Sequence, residues 1–121
     1  VQAPAPSQQA GGSAFVAAQA EAGLAAYAQS CQECHGSDLL ALGPFPPLTG
    51  PRFFATWEGR SAAELYEYIR TMMPLGAPGS LPDETYLEIT AYWLAFHGYP
   101  AGETPATETS LSDLRLQPAG D

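Results

Sequence analysis

Cys31-Gln32-Glu33-Cys34-His35 restricts this chain more than any other stretch of it, because two thiols one helical turn apart, followed at once by an imidazole, imply a fold organised around a bound group. The two sulfurs can form thioether bonds to the two vinyl edges of a porphyrin, while the adjoining imidazole reaches the iron from the proximal side. One covalently attached haem c, with its iron, is therefore the first expectation.

Other uses of a Cys-x-x-Cys pair fit less well. A dithiol redox motif of thioredoxin type follows a strand and opens a helix in a βαβ setting, whereas this motif follows a long Ala-rich stretch with helical character. Zinc requires four ligands, and the only Cys and His residues are Cys31, Cys34, His35 and His97, without finger spacing. A structural Cys31–Cys34 disulfide would close so short a loop that it would remove little entropy from the unfolded chain.

Thirteen Asp and Glu stand against four Arg and no Lys, a formal net charge of −9. Such an imbalance disfavours nucleic acid and anionic membrane surfaces as partners and favours a protein with a basic docking patch. No apolar run is long enough to span a bilayer. The chain begins at Val1 and runs through Pro, Ala, Gln and Gly, as expected of an exported protein whose secretory signal has been removed.

The length suits one domain. Residues 1–13 read as a flexible N-terminal segment, 14–100 as the haem domain, and 101–121 as a C-terminal extension; both ends are Pro-, Gly-, Ser-, Thr- and Ala-rich and are expected to be extended or loosely packed. The central part alone is small enough for an apolar core to give thin stability, and a porphyrin at its centre offsets that deficit.

A first helix is expected over 14–32 with Ser13 as N-cap, placing Gly23, Tyr27 and Cys31 on one side. Gly23 inside a helix costs about 1 kcal/mol relative to Ala, which makes sense where another helix crosses closely. Residues 36–60 read as loop, punctuated by Gly and Pro and supplying apolar contacts from Leu39 to Trp57. Trp57 carries an N–H donor that could reach a haem propionate, and Arg52 and Arg60 are the other nearby donors for those carboxylates, although either Arg taken singly is better explained as a solvated charge.

A second helix opens on the capping box Ser61-Ala62-Ala63-Glu64, with Leu65, Tyr68, Ile69 and Met72 on one face. Pro74 ends it and drives Met73 into an extended conformation, so that the Met73 thioether can face the open axial position of the iron. Met73 is the expected ligand and Met72 its rival. A third helix is expected to open near Ser80 or Leu81 with Pro82 in its first turn, burying a stripe of Tyr86, Ile89, Trp93 and Phe96 bordered by Tyr92 and Leu94. His97 and Gly98 suit the C-terminal turn; His97 as a second haem ligand is the alternative to that helix-end role.

From Gly23 to about Gly102 the chain resembles the bacterial class I c-type cytochromes. The resemblance is carried by Gly23-x-x-x-Tyr27-x-x-x-Cys31-x-x-Cys34-His35-Gly36, by Pro46-Pro47-Leu48-Thr49-Gly50, by Met73-Pro74 before Pro78-Gly79, and by Tyr92-Trp93-Leu94. It implies an all-α cytochrome c fold with about three main helices and long loops wrapped around the haem. It also implies that Gly23 and Tyr27 cross near Tyr92, and that a carbonyl around Pro46 accepts a hydrogen bond from the His35 ring. Phe45 departs from the family pattern, which commonly has Gly there. Met73 to Leu81 and Gly98 to Gly102 are further similar to cytochromes that accompany pyrroloquinoline-quinone dehydrogenases. The function so implied is a periplasmic or membrane-tethered one-electron carrier, not an enzyme, with a haem held by His35 and Met73 and serving a redox donor and acceptor such as a quinoprotein dehydrogenase and a terminal oxidase. The alternatives are a haem domain of a larger dehydrogenase or oxidase subunit, and a haem sensor or enzyme whose Met is displaceable.

Overall fold

The computed structural model describes residues 13–118. Among these the chain forms six helices and no strand: α1 Ala17–Ser30, α2 Gln32–His35, α3 Gly50–Trp57, α4 Ala62–Met72, α5 Asp83–Phe96 and α6 Glu108–Ser112. The three helices expected from sequence are α1, α4 and α5. The expected 1–13 segment lies outside the described residues except for Ser13.

Helix α1 starts three residues later than expected. Val16, extended at φ −110° and ψ 155°, holds the N-cap position in place of Ser13, and its N–H donates to Gln19 Oε1 at 3.2 Å. Phe15 is thereby released from the helix and buried ahead of it. Further along, α1 meets α5 so closely at Gly23 that a Cβ there would run into the Glu88 carbonyl oxygen and stand 2.9 Å from Tyr92 Cβ. One turn on, the Tyr27 and Tyr92 rings lie 5.3 Å apart. The helical Gly is thus required by a backbone-to-backbone approach that no side chain would permit.

The segment 36–60 is not loop throughout. Residues 50–57 form α3, with Thr49 at the N-cap position and Pro51 in the first turn, where a missing N–H leaves no intrahelical bond unmade. Phe53, Phe54 and Trp57 are buried from this helix, and Phe53 and Phe54 place their rings 5.3 and 6.0 Å from Trp93 of α5. The preceding stretch is irregular: Leu39 and Ala41 take positive φ of 66° and 78°, costing about 1–2 kcal/mol each. Bonds from Leu48 N to Leu39 O at 2.8 Å and from Ala41 N to His35 O at 2.8 Å hold it in that form.

Ser61 Oγ accepts from Glu64 N at 3.1 Å, as a helix cap should, while the Glu64 carboxylate pairs with Arg60. Helix α5 begins at Asp83 with Pro82 ahead of it at the N-cap position, not inside the first turn. Tyr86, Ile89 and Trp93 are buried as expected, but Phe96 is exposed and Leu94 wholly buried, a reversal at the end of the stripe.

That reversal comes from the C-terminal extension, which is neither extended nor loose. Leu111, Leu114 and Leu116 join the same apolar cluster as Ala91 and Leu94. Leu116 N donates to Arg60 O, Gly59 N to Leu116 O and Ala62 N to Leu114 O, each at 2.8 Å, and Ser61 and Arg115 form an isolated antiparallel bridge. The tail also reaches the N-terminal side: Ala106 N donates to Gln19 Oε1 at 2.7 Å and Ser110 Oγ to Ala14 O at 3.0 Å. Helix α5 is consequently buried on more than one side.

Candidate haem site

The site is built from the end of α1. Cys31 N bonds Tyr27 O at 2.8 Å, and the chain then turns into the four-residue α2 that carries Cys34 and His35. The carbonyls at the end of so short a helix need outside partners. Leu42 N donates to Cys34 O at 3.0 Å, Ala41 N to His35 O, and the Tyr27 hydroxyl to Gly36 O at 2.6 Å. Gly36, at φ 79°, takes the backbone into a region a side chain would resist.

His35 is buried, and its Nδ1 lies 2.9 Å from the Pro46 carbonyl oxygen. A carbonyl can only accept, so Nδ1 carries the proton and Nε2 keeps the lone pair a metal needs. The acceptor expected around Pro46 is Pro46 itself.

Met73 closes α4 in an extended conformation, φ −123° and ψ 156°. Its carbonyl accepts from Tyr86 Oη at 2.6 Å and from Gly79 N at 3.2 Å, while Tyr86 Oη accepts from Leu81 N at 3.2 Å. Tyr86 therefore pins both ends of the loop that follows Met73. Its role was not foreseen; the available signal was a phenol inside an apolar stripe, since a buried Tyr hydroxyl needs a partner.

Cys31, Cys34, His35, Pro46, Trp57 and Met73 all line one cleft of about 560 Å³ with predominantly apolar walls. Met72 is not on that wall and is half exposed. Trp57 stacks on Phe53 at 6.0 Å and meets the Tyr68 ring edge-on at 5.5 Å. Arg60 also lines the cleft, its guanidinium 4.0 Å above the Trp57 ring. Arg52, expected as a propionate donor, stands exposed on α3 away from the cleft wall, so Arg60 is the cation the fold brings there. Helical spacing explains the choice: Trp57 belongs to the buried face of α3, and Arg52 to the other.

His97 is buried away from the cleft. Its Nδ1 donates to Trp93 O at 2.9 Å, its Nε2 lies 2.8 Å from Thr49 Oγ1, and its ring stacks on Trp93 at 3.9 Å. Both ring nitrogens are engaged in this packing, so the helix-end role, not ligation, is the one the fold gives it. Desolvation by burial, partly opposed by the Trp93 carbonyl, holds its pKa below the usual histidine value.

The residues fit a haem. Two thiols, an imidazole with a free Nε2 lone pair and a thioether share an apolar cleft, within the roughly 300–1,000 Å³ typical of cofactor sites. A redox dithiol fits poorly: burial, and secondarily the neighbouring Cys34, push the free Cys31 thiol up to about 11, opposite to the lowered value a reactive thiolate requires. Among the described residues no three His, Cys, Asp or Glu side chains converge as a zinc centre would demand.

The chain is similar to proteins already known. Thiosulfate dehydrogenase of Allochromatium vinosum is 40% identical over 90 residues, covering 69% of this chain and 33% of its own length, so the chain spans about a third of that relative. The crystal structure of the sulfane dehydrogenase SoxCD from Paracoccus pantotrophus superposes with a TM-score of 0.67 over 96% of this chain and 66% of that one, at 20% identity, a likeness of fold. Residues 18–92 match the family described as cytochrome C oxidase, cbb3-type, subunit III, and with its motif and cleft in place the chain belongs to that family as a class I c-type cytochrome domain carrying one covalent haem c.

Proposed function

We propose that this domain is a one-electron relay whose haem iron is held by His35 on one side and Met73 on the other. The placement of both residues on one apolar cleft, with His35 Nδ1 already committed to Pro46, is the observation that carries the reading. A haem held there would supply one-electron ferric/ferrous chemistry, and Met ligation in an apolar surround would favour its reduced state. The chain's own work is to fix the imidazole through Pro46, to fix Met73 through Tyr86, and to keep water from the iron with Leu48, Phe53, Leu65 and Ile69. Arg60 and Trp57, which line the same cleft, would meet the propionates, and the centre would take no substrate of its own.

The setting proposed is periplasmic, on family likeness; among the described residues no helix is long and apolar enough to cross a membrane. The partners proposed are a dehydrogenase as donor and a terminal oxidase or another cytochrome as acceptor. Likeness to a thiosulfate dehydrogenase favours a donor acting on sulfur compounds over the quinoprotein dehydrogenase suggested by the loop resemblance. Because the chain spans about a third of that relative, a second reading stands beside the free carrier: an electron-relay module within a longer oxidoreductase. Electron transfer through the same haem is common to both.

The oxidised holoprotein should show the weak red-end absorption band of Met-to-iron ligation. Met73→Ala should abolish that band and lower the midpoint potential, whereas Met72→Ala should leave both unchanged. Loss of the band from Met72→Ala alone would transfer the ligand role to Met72.

A further inference from the structure

Pro46 supplies the carbonyl that holds His35, but nothing regular holds Pro46, which sits in an exposed loop between the attachment motif and α3. Two residues separate it from Thr49, and the first of them is Pro47, so the rigid backbone here transmits the position of residues 48 and 49 to residue 46. Both of those residues are tied to the last turns of α5. Trp93 Nε1 donates to Leu48 O at 2.7 Å, and Thr49 Oγ1 lies 2.8 Å from His97 Nε2.

The Thr49 contact is unusual for its place. A threonine at the N-cap of a helix ordinarily turns its hydroxyl back to the second or third backbone N–H. In α3 the second position is Pro51, which has none, and the Thr49 side chain makes no capping bond. Its hydroxyl is directed outward to α5. Since His97 Nδ1 donates to Trp93 O, the neutral ring presents Nε2 as an acceptor, and Thr49 donates to it.

We propose that Thr49 and His97 are positioning residues for the proximal imidazole: they anchor the loop from α5, fix the Pro46 carbonyl against His35 Nδ1, and so set the potential of the haem. This rests on His35 being the proximal ligand. A well-placed acceptor on Nδ1 makes the imidazole a stronger donor and favours ferric iron. Letting the carbonyl drift weakens that donation and favours the ferrous state.

The test uses the intact holoprotein. Thr49→Val, almost the same size without the hydroxyl, and His97→Leu should each raise the reduced-to-oxidised ratio at a fixed applied potential by about threefold or more, and should speed exchange of the His35 Nδ1 proton by about tenfold. His97→Gln, whose amide oxygen can still accept from Thr49, should return most of both effects. A merely structural role would lower thermal stability while leaving potential and exchange rate where they were. That result would overturn the proposal and leave the His35 assignment standing; a His35 ring without the paramagnetic NMR shifts of an iron ligand in the oxidised unaltered protein would instead defeat that assignment. If His97→Leu fails to mature, the valine variant alone decides.

Discussion

Tyr27 joins the helix crossing to the attachment motif, with its ring against Tyr92 and its hydroxyl donating to the Gly36 carbonyl. Burial, followed by the neighbouring Tyr92 and Asp38 charges, raises its phenol well above the ordinary value of 10.0. The folded state therefore keeps a proton that the unfolded chain begins to lose near pH 10. Unfolding then releases protons, and stability that is fully present below that pH declines as pH rises. Tyr27→Phe removes the bond and the titration together. At neutral pH it should cost about 1–2 kcal/mol in urea denaturation, the worth of a buried hydrogen bond with its acceptor left behind. Above pH 10 its stability should fall less steeply than that of the unaltered protein, with part of the slope persisting because burial also raises Tyr66 and Tyr92. Equal slopes would show that Tyr27 does not control the alkaline limb.

At the scale of elements, the C-terminal extension acts as a clamp across three parts of the fold. Its backbone pairs with residues 59–62 beside the Trp57 and Arg60 wall of the cleft, and its side chains complete the burial of α5. Leu116 is wholly buried at the centre of that contact. Leu116→Ala should therefore cost about 2–5 kcal/mol, measured by urea denaturation of the holoprotein, whereas a loosely attached tail would lose almost nothing. The same segment marks where sequence reading reached its limit. Residues 101–118 are poor in apolar side chains, and three leucines at irregular spacing give no period from which to infer a packed face. Helix α3 was obscured differently: Gly50 and Pro51 read as breakers, although Pro51 suits the first turn of a helix and Gly50, at φ 85°, the bend that leads into it. Where a local rule was strong it succeeded. Gly23 foretold the close crossing, Ser61 the start of α4, and Pro74 the extended Met73, since each depends on steric or capping requirements of a few neighbouring residues. Of the two arginines expected as donors only Arg60 lines the cleft, which follows from the face of α3 that carries Arg52, but the bond from His97 to Thr49 joins distant segments and no local pattern encodes it.

Across the whole molecule, charge and exposed apolar surface make different demands on a redox partner. Two of the four arginines are already paired, Arg60 with Glu64 and Arg70 with Glu67 and Asp83, so most of the −9 net charge is left to act outward. Glu33, inside the attachment motif, and Asp38, just after it, are exposed, where they can steer a basic partner toward the cleft. Leu40, Leu42 and Leu75 are exposed as well and offer contact that salt would not weaken. These contributions separate through ionic strength, because the screening length falls from about 30 Å at 0.01 M to about 3 Å at 1 M. If charge directs encounter, the second-order rate of electron transfer to a basic redox protein should fall at least about tenfold over that range. Glu33→Gln with Asp38→Asn should flatten the dependence and, by removing two negative charges near the attachment motif, also raise the midpoint potential. Stopped-flow traces at several salt concentrations would decide it: a rate indifferent to salt would assign recognition to the leucines instead, and the acidic surface would then have no part in bringing the partner to the haem edge.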